Sequence, residues 1–240
     1  MLQSLVMSDR QRTKQIKSLG GVFADNEILQ AIKTGQIVLD PFKPEHVKNS
    51  SIDVTLGGNF YKMERDPHQG LLNPFDPQSI KTYYKPLAAM THEEWLDEGD
   101  IRKPFANIPL KQSMFLIKPN ERILAHTAEF VGIAWGGTSM MHAKSTIGRY
   151  GISVCGDAGW GDQGYVNRWT MEIKNKNEYA SFPLVVGMPI AQIIIFKMEN
   201  STVRYGQSGN YQQGNNLDDI RASWRPEQML PRELSVDEAS

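Results

Sequence analysis

The sequence predicts a mainly β fold with a few short helices, and three observations carry that prediction. Apolar and polar residues alternate over residues 51–56 and again over 169–174, which is the period of a half-buried strand. Regular β character returns at 113–117, 122–126, 129–134, 182–186 and 190–198, the last two separated by the turn Gly187-Met188-Pro189. Helical periodicity surfaces only at 26–33 and in an acidic patch at 92–100. At 240 residues the chain can bury a substantial core, and single domains of this length are common among all-β folds.

Taken in order, residues 1–21 are polar and basic, with Arg10, Arg12, Lys14 and Lys17, and read as a short helix or a loose arm to which no chemistry is assigned. The main domain is expected over 22–200. With Asp25 as N-cap, residues 26–33 place Ile28, Leu29 and Ile32 on one helical face and stop at Gly35. Residues 37–39 read as a strand ended by Asp40-Pro41, and 51–60 as a strand that breaks at Gly57-Gly58. Between 64 and 107, Pro67, Pro74, Pro77 and Pro86 are scattered among charges, so this segment reads as an insertion on the rim of the domain. Residues 201–240 are polar, and Tyr205, Gly206, Gly209, Tyr211, Gln212, Gln213 and Gly214 read as a lid rather than core.

Composition narrows the function classes. With 26 basic and 27 acidic residues the formal charge is −1, so no global field draws the chain onto nucleic acid or an anionic membrane. Any phosphate ligand must be held locally. The longest apolar runs, such as 193–196, are too short to cross a bilayer and the N-terminus lacks a signal-peptide core, so a cytoplasmic location is expected. The lone cysteine, Cys155, excludes an intrachain disulfide and any multi-cysteine zinc site.

The richest stretch runs from residue 144 to 175. Lys144, Ser145, Thr146, Gly148 and Arg149 combine cations, short hydroxyls and a glycine, which suits close approach to phosphate oxygens. Surface hydroxyls at a strand-to-helix turn are the ordinary alternative. The glycine-rich residues 156–164 carry Asp157 and Asp162, and the strand that follows puts Trp169, Met171 and Ile173 on one face against Thr170, Glu172 and Lys174 on the other. A carboxylate fixed on a strand beside such a loop is where a general acid or base would stand.

Several of these segments together resemble the dCTP deaminase family, in the superfamily of trimeric dUTPases. Residues 49–57 (NSSIDVTLG) resemble its early S-x-D-x-x-L-G segment, 124–129 (LAHTAE) the strand pair before the phosphate motif, and 144–149 (KSTIGR) the R-S-S-x-x-R motif. Residues 158–165 (AGWGDQGY) are similar to A-G-x-I-D-x-G-Y, 170–173 (TMEI) to the strand with the deaminase glutamate, and 187–192 (GMPIAQ) to the late G-M-x-I-x-Q strand. The resemblance covers most of the chain in order. It implies a dUTPase-like distorted β barrel or jelly roll of the β-clip type, assembled as a homotrimer with sites between subunits.

It further implies hydrolytic deamination of dCTP to dUTP and ammonia. Many nucleobase deaminases activate water with zinc held by a His/Cys/Cys set. With one cysteine, this chain would do so without zinc, Glu172 taking the proton of water and the carbonyl of Ala158 helping to hold water or the 4-amino group. An exposed strand glutamate is the bland alternative. By the same resemblance Asp162 lies beside the deoxyribose, where turn formation is its other reading, and Tyr165 packs against the sugar, where a core tyrosine is the alternative. Lys144, Ser145, Thr146 and Arg149, with Tyr205, Tyr211 and Gln213 of the lid, match substrate contacts, Mg²⁺ bridging the phosphates rather than binding protein ligands.

Lys144 stands where the family usually has arginine, Gly161 where it has isoleucine, and Asn210 where a lysine commonly lies. The glycine implies looser packing under the sugar. His126 and His142 are isolated and read as structural hydrogen-bonders, and Cys155 as a small strand residue. Two rival functions remain: a dUTP diphosphatase or bifunctional enzyme giving dUMP, for which Asp162 speaks, and a non-catalytic regulatory trimer. The tail lacks the phenylalanine with which mono-functional dUTPases generally close, which favours the deaminase.

Overall fold

The computed structural model describes residues 21–64, 70–202, 205, 211–212 and 216–235. The first helix, α1 (Asp25–Lys33), starts one residue earlier than the sequence suggests. Its N-cap is Ala24, whose N–H donates to the Glu27 carboxylate at 3.0 Å, so Asp25 is its first residue and not its cap. Ile28 and Ala31 are its buried residues, and Gly35 at φ 76° lets the chain turn away. Strands β1 (Ile37–Asp40), β2 (Val47–Lys48), β3 (Ser51–Thr55) and β4 (Asn59–Met63) follow.

Residues 64–107 supply more than loops. Helix α2 (Pro77–Tyr83) is capped by Asp76, which accepts from the Gln78 N–H at 2.9 Å, and leads directly into β5 (Tyr84–Ala88). That strand pairs antiparallel with β4 and forms a sheet edge. After β6 (Met90–Thr91), α3 (His92–Asp97) buries Trp95, whose indole N–H donates to the Met114 carbonyl at 3.1 Å. His92 is fully buried between the Ile108 carbonyl and the Phe105 N–H, each at 3.0 Å.

The remaining strands are β7 (Ser113–Ile117), β8 (Arg122–His126), β9 (Phe130–Ile133), β10 (Gly137–Ala143), β11 (Ile152–Val154), β12 (Trp160–Gly161), β13 (Val166–Asn167), β14 (Thr170–Asn175), β15 (Phe182–Val185) and β16 (Pro189–Lys197). Helix α4 (Ser145–Arg149) follows β10, and α5 (Leu217–Ser223) lies in the C-terminal segment. The strands form four sheets: β1-β9-β13, β12-β10-β16-β3-β2, β11-β14-β8-β4-β5 and β15-β7-β6. Their inner faces meet on one core that includes Ile52, Val54, Met141, Met171, Ile173, Ile193 and Ile195, each 2 % exposed or less. Fully burying a side chain of this kind contributes about 1.5–3 kcal/mol. The result is a mostly β, distorted barrel with few helices. Among the described residues no helix is long and apolar enough to cross a membrane.

Two expectations need correction. Cys155 is not a strand residue: it lies just past β11 at φ 48°, where the chain turns into the glycine-rich loop. The described part of the tail also joins the body, since Ile220 packs with Phe130 and Val166, and Met229 with Tyr61 and Leu124.

Candidate active site

Strand β14 sets the site. Met171 and Ile173 point into the core with no exposure, so Thr170 and Glu172 must face the other way, and both are half-buried there. Opposite Glu172 across the strand pair is Leu124 of β8, and opposite Lys174 is Arg122. The turn at Cys155 is tied to the same point, its N–H donating to the Glu172 carbonyl at 3.0 Å. Beyond it, the Gly159 carbonyl accepts from the Met141 N–H at 2.7 Å. A Cβ at Gly159 would stand 2.5 Å from the Met141 carbonyl oxygen, so the loop needs glycine to lie this close.

A cavity of about 420 Å³ opens above Glu172. Ala158, Asp162 and Tyr165 line it, with Trp169 just before β14 and Thr170 at its start. Tyr205 and Tyr211 come from the tail, Tyr84, Arg122 and Leu124 from β5 and β8, and Met229, Leu230 and Pro231 from the C-terminal segment. The tail is pinned by the Val166 N–H, which donates to Gln212 Oε1 at 2.7 Å, and by Asn167 Nδ2, which donates to the Tyr211 carbonyl at 2.8 Å.

Packing under the loop is not looser for want of isoleucine. A Cβ on Gly161 would meet the Trp169 ring at 2.0 Å, so the indole occupies the space that a side chain at 161 would need. Trp169 is 3 % exposed and its indole N–H donates to the Val131 carbonyl at 2.8 Å. Tyr165 leans on Trp169 with ring centroids 5.4 Å apart and meets Tyr205 edge-on at 4.9 Å. Burial, with Tyr205 next to it, raises the Tyr165 phenol well above the usual range and keeps it neutral.

Glu172 carries the unsatisfied polar atom in this setting. Its Oε2 is buried without a hydrogen-bond partner. Burial pushes its carboxyl above the usual range, and the nearby Asp157 adds to this, while its own backbone N–H and Arg122 pull the other way. A buried carboxyl with an unused oxygen facing a cavity can exchange a proton with a ligand.

The structure therefore brings Glu172, Ala158, Asp162, Tyr165, Tyr205 and Tyr211 to one cavity and leaves the cationic motif out of its lining. Lys144 Nζ is bonded to Asp53 of β3, which also faces Lys48 Nζ at 3.7 Å. Ser145, Thr146 and Arg149 stand exposed on α4. Gln213 lies outside the described residues. His126 is buried, with Nδ1–H donating to the Thr127 carbonyl at 2.8 Å and Nε2 facing the Asn59 N–H at 3.4 Å; burial pulls its pKa down to about 4. His142 is exposed on β10, and burial pushes the Cys155 thiol up to about 12. Sequence reasoning missed Tyr84, Arg122 and Met229, which reach the cavity from distant parts of the chain.

The fold and the site define a mostly β barrel with a cavity of about 420 Å³ beside a buried carboxyl. The 2'-deoxycytidine 5'-triphosphate deaminase from Agrobacterium tumefaciens shares the fold, with a TM-score of 0.51 and 14 % identity over 75 % of this chain and 49 % of that one. The dCTP deaminase-like family profile matches residues 22–198, and the chain belongs to that family. Its relatives include proteins named dCTP deaminase, dUMP-forming. The one from Nanoarchaeum equitans is 28 % identical over 187 residues, covering 77 % of this chain and 88 % of that one. The one from Streptomyces griseus is 30 % identical over 184 residues, covering 75 % and 82 %.

Proposed function

We propose that the protein deaminates dCTP and carries the product on to dUMP, releasing ammonia and pyrophosphate. The observation that carries the deaminase step is the unpartnered Oε2 of Glu172 in a cavity of about 420 Å³ that Ala158, Asp162 and Tyr165 also line. In this reading Glu172 takes a proton from water as the oxygen adds to C4 of cytosine, then returns it as the amine leaves. Overall, dCTP and water give dUTP and ammonia. A second water then attacks the α-phosphorus, Asp162 orienting it, and pyrophosphate departs to leave dUMP. The dUMP-forming names of the relatives support this product over the dUTP that the motifs alone suggest.

Ser145, Thr146 and Arg149 would hold the triphosphate. Their place outside the cavity lining supports a homotrimer in which a neighbouring copy brings its α4 to the cleft. Among the described residues no three His, Cys, Asp or Glu side chains stand together as a metal set. Mg²⁺ would be held by phosphate oxygens and water, and would neutralise their charge. The setting would be cytoplasmic, where nucleotide pools lie.

Purified protein given Mg²⁺ and either dCTP or dUTP tests this. Ammonia and pyrophosphate in equal amounts from dCTP, with dUMP as product, is the expected outcome. Ammonia with accumulating dUTP would mark a deaminase alone, pyrophosphate from dUTP without ammonia from dCTP a diphosphatase, and binding without turnover a regulatory trimer.

A further inference from the structure

Arg122 lines the cavity on the same face of the sheet as Glu172. It pairs with Lys174, two residues along from Glu172, so the two are diagonal neighbours, whose Cβ atoms typically lie about 7 Å apart. Among the described residues Arg122 enters no ion pair, and Glu172 Oε2 accepts no hydrogen bond. A cation and a carboxylate oxygen thus open onto one space without closing on each other. The other titratable groups near Glu172 are Asp157 and Cys155 from the glycine-rich loop and Tyr84 from β5, with Lys174 exposed on its own strand. Asp162, Tyr165, Tyr205 and Tyr211 share the cavity. Of these groups only Arg122 and Lys174 are cationic, and only Arg122 lines the cavity.

We infer that Arg122 is a positioning residue for Glu172, the fixed positive charge against which the carboxylate is held ready to accept the proton of water. This rests on reading Glu172 as the general base. Burial and Asp157 both favour the protonated, useless form of that base; its own backbone N–H opposes them, and Arg122 is the one side chain that does so as well. Arg122 is exposed, so replacing it leaves the barrel core intact. Lysine would preserve the charge without the planar fork, whereas glutamine would keep polarity and lose the charge.

The test is the pH dependence of kcat/KM for the unaltered protein, Arg122→Gln and Arg122→Lys, together with Glu172→Gln. In Arg122→Gln the acid limb should move up by about one pH unit, with about a tenfold loss of rate at the foot of the limb, and lysine should restore most of both. In parallel, ¹³C NMR of the unliganded protein should show the Glu172 δ-carboxyl, assigned by its absence in Glu172→Gln, titrating higher in Arg122→Gln by the same amount. An unmoved limb and an unmoved resonance, with Glu172→Gln inactive, overturn the role of Arg122 and leave Glu172 as the base. Full activity in Glu172→Gln removes both.

Discussion

The cavity and helix α4 make an instructive pair. The cavity gathers side chains from β5, β8, β14, the glycine-rich loop and the C-terminal segment, and leaves a buried carboxylate oxygen without a partner. Helix α4 carries hydroxyls and a cation that face solvent at little cost, with Lys144 just before it tied to Asp53. A buried polar atom without a partner is expensive, so under the proposed function the first region is completed by water or substrate at Glu172. The second is merely accessible, and its role depends on what is brought to it.

The largest effect should come from the first region. Glu172→Gln should lower ammonia release from dCTP by about a thousandfold while leaving the unfolding midpoint in urea nearly unchanged. A comparable loss from changing Ser145 alone would break the contrast.

Acid should weaken the cavity side selectively. His126 follows Arg122 and Leu124 along β8 and meets Trp224 of the C-terminal segment at a tilt of 52°, with centroids 4.7 Å apart. Its pKa is about 4 in the fold against an ordinary 6.5, so the unfolded chain takes the proton first. Stability is therefore complete above pH 6.5 and drains as pH falls towards 4, by about 3 kcal/mol in all. Urea melts at pH 7 and 5 should show the slope, and His126→Gln should flatten it.

Arg149→Ala should raise KM for dCTP by about thirtyfold, in line with a lost charge-assisted hydrogen bond, with deoxycytidine binding unaffected. Mixing Arg149→Ala with Glu172→Gln chains sharpens the comparison. If α4 of one copy serves the cavity of another, re-associated mixtures should regain, at dCTP well below the raised KM, part of the activity that both variants lose there. No recovery would place both halves within one chain. The smallest effect is expected at Gly161. Gly161→Ala pushes Trp169 from its seat and should cost about 1–2 kcal/mol of stability, recovered in part when Trp169 is made isoleucine.

Much of this was legible in the sequence because it is local. Alternation placed Glu172 opposite Met171 and Ile173, and the order of short motifs carried the barrel. Strand β10 was not, since GTSMMHA shows no clear period even though its pairing with β16 spans seven residues. Nor were Tyr84, Arg122 and Met229, whose meeting with Glu172 depends on register and on chain return rather than on neighbours in sequence. The exchange of bulk between positions 161 and 169 was half visible. The missing isoleucine was plain, but its replacement by an indole eight residues on appears only when β12 and the residue just before β14 are brought together.

That indole has a practical consequence. Trp169 lies under the cavity and Trp160, 59 % exposed, lines it as well, so the molecule carries native fluorophores where a ligand would sit. The ligand-induced change in emission that Trp169→Phe or Trp160→Phe removes, over the background of Trp95, Trp135 and Trp224, would follow occupancy without any label, and its red or blue displacement would tell whether water leaves the cleft as the nucleotide enters.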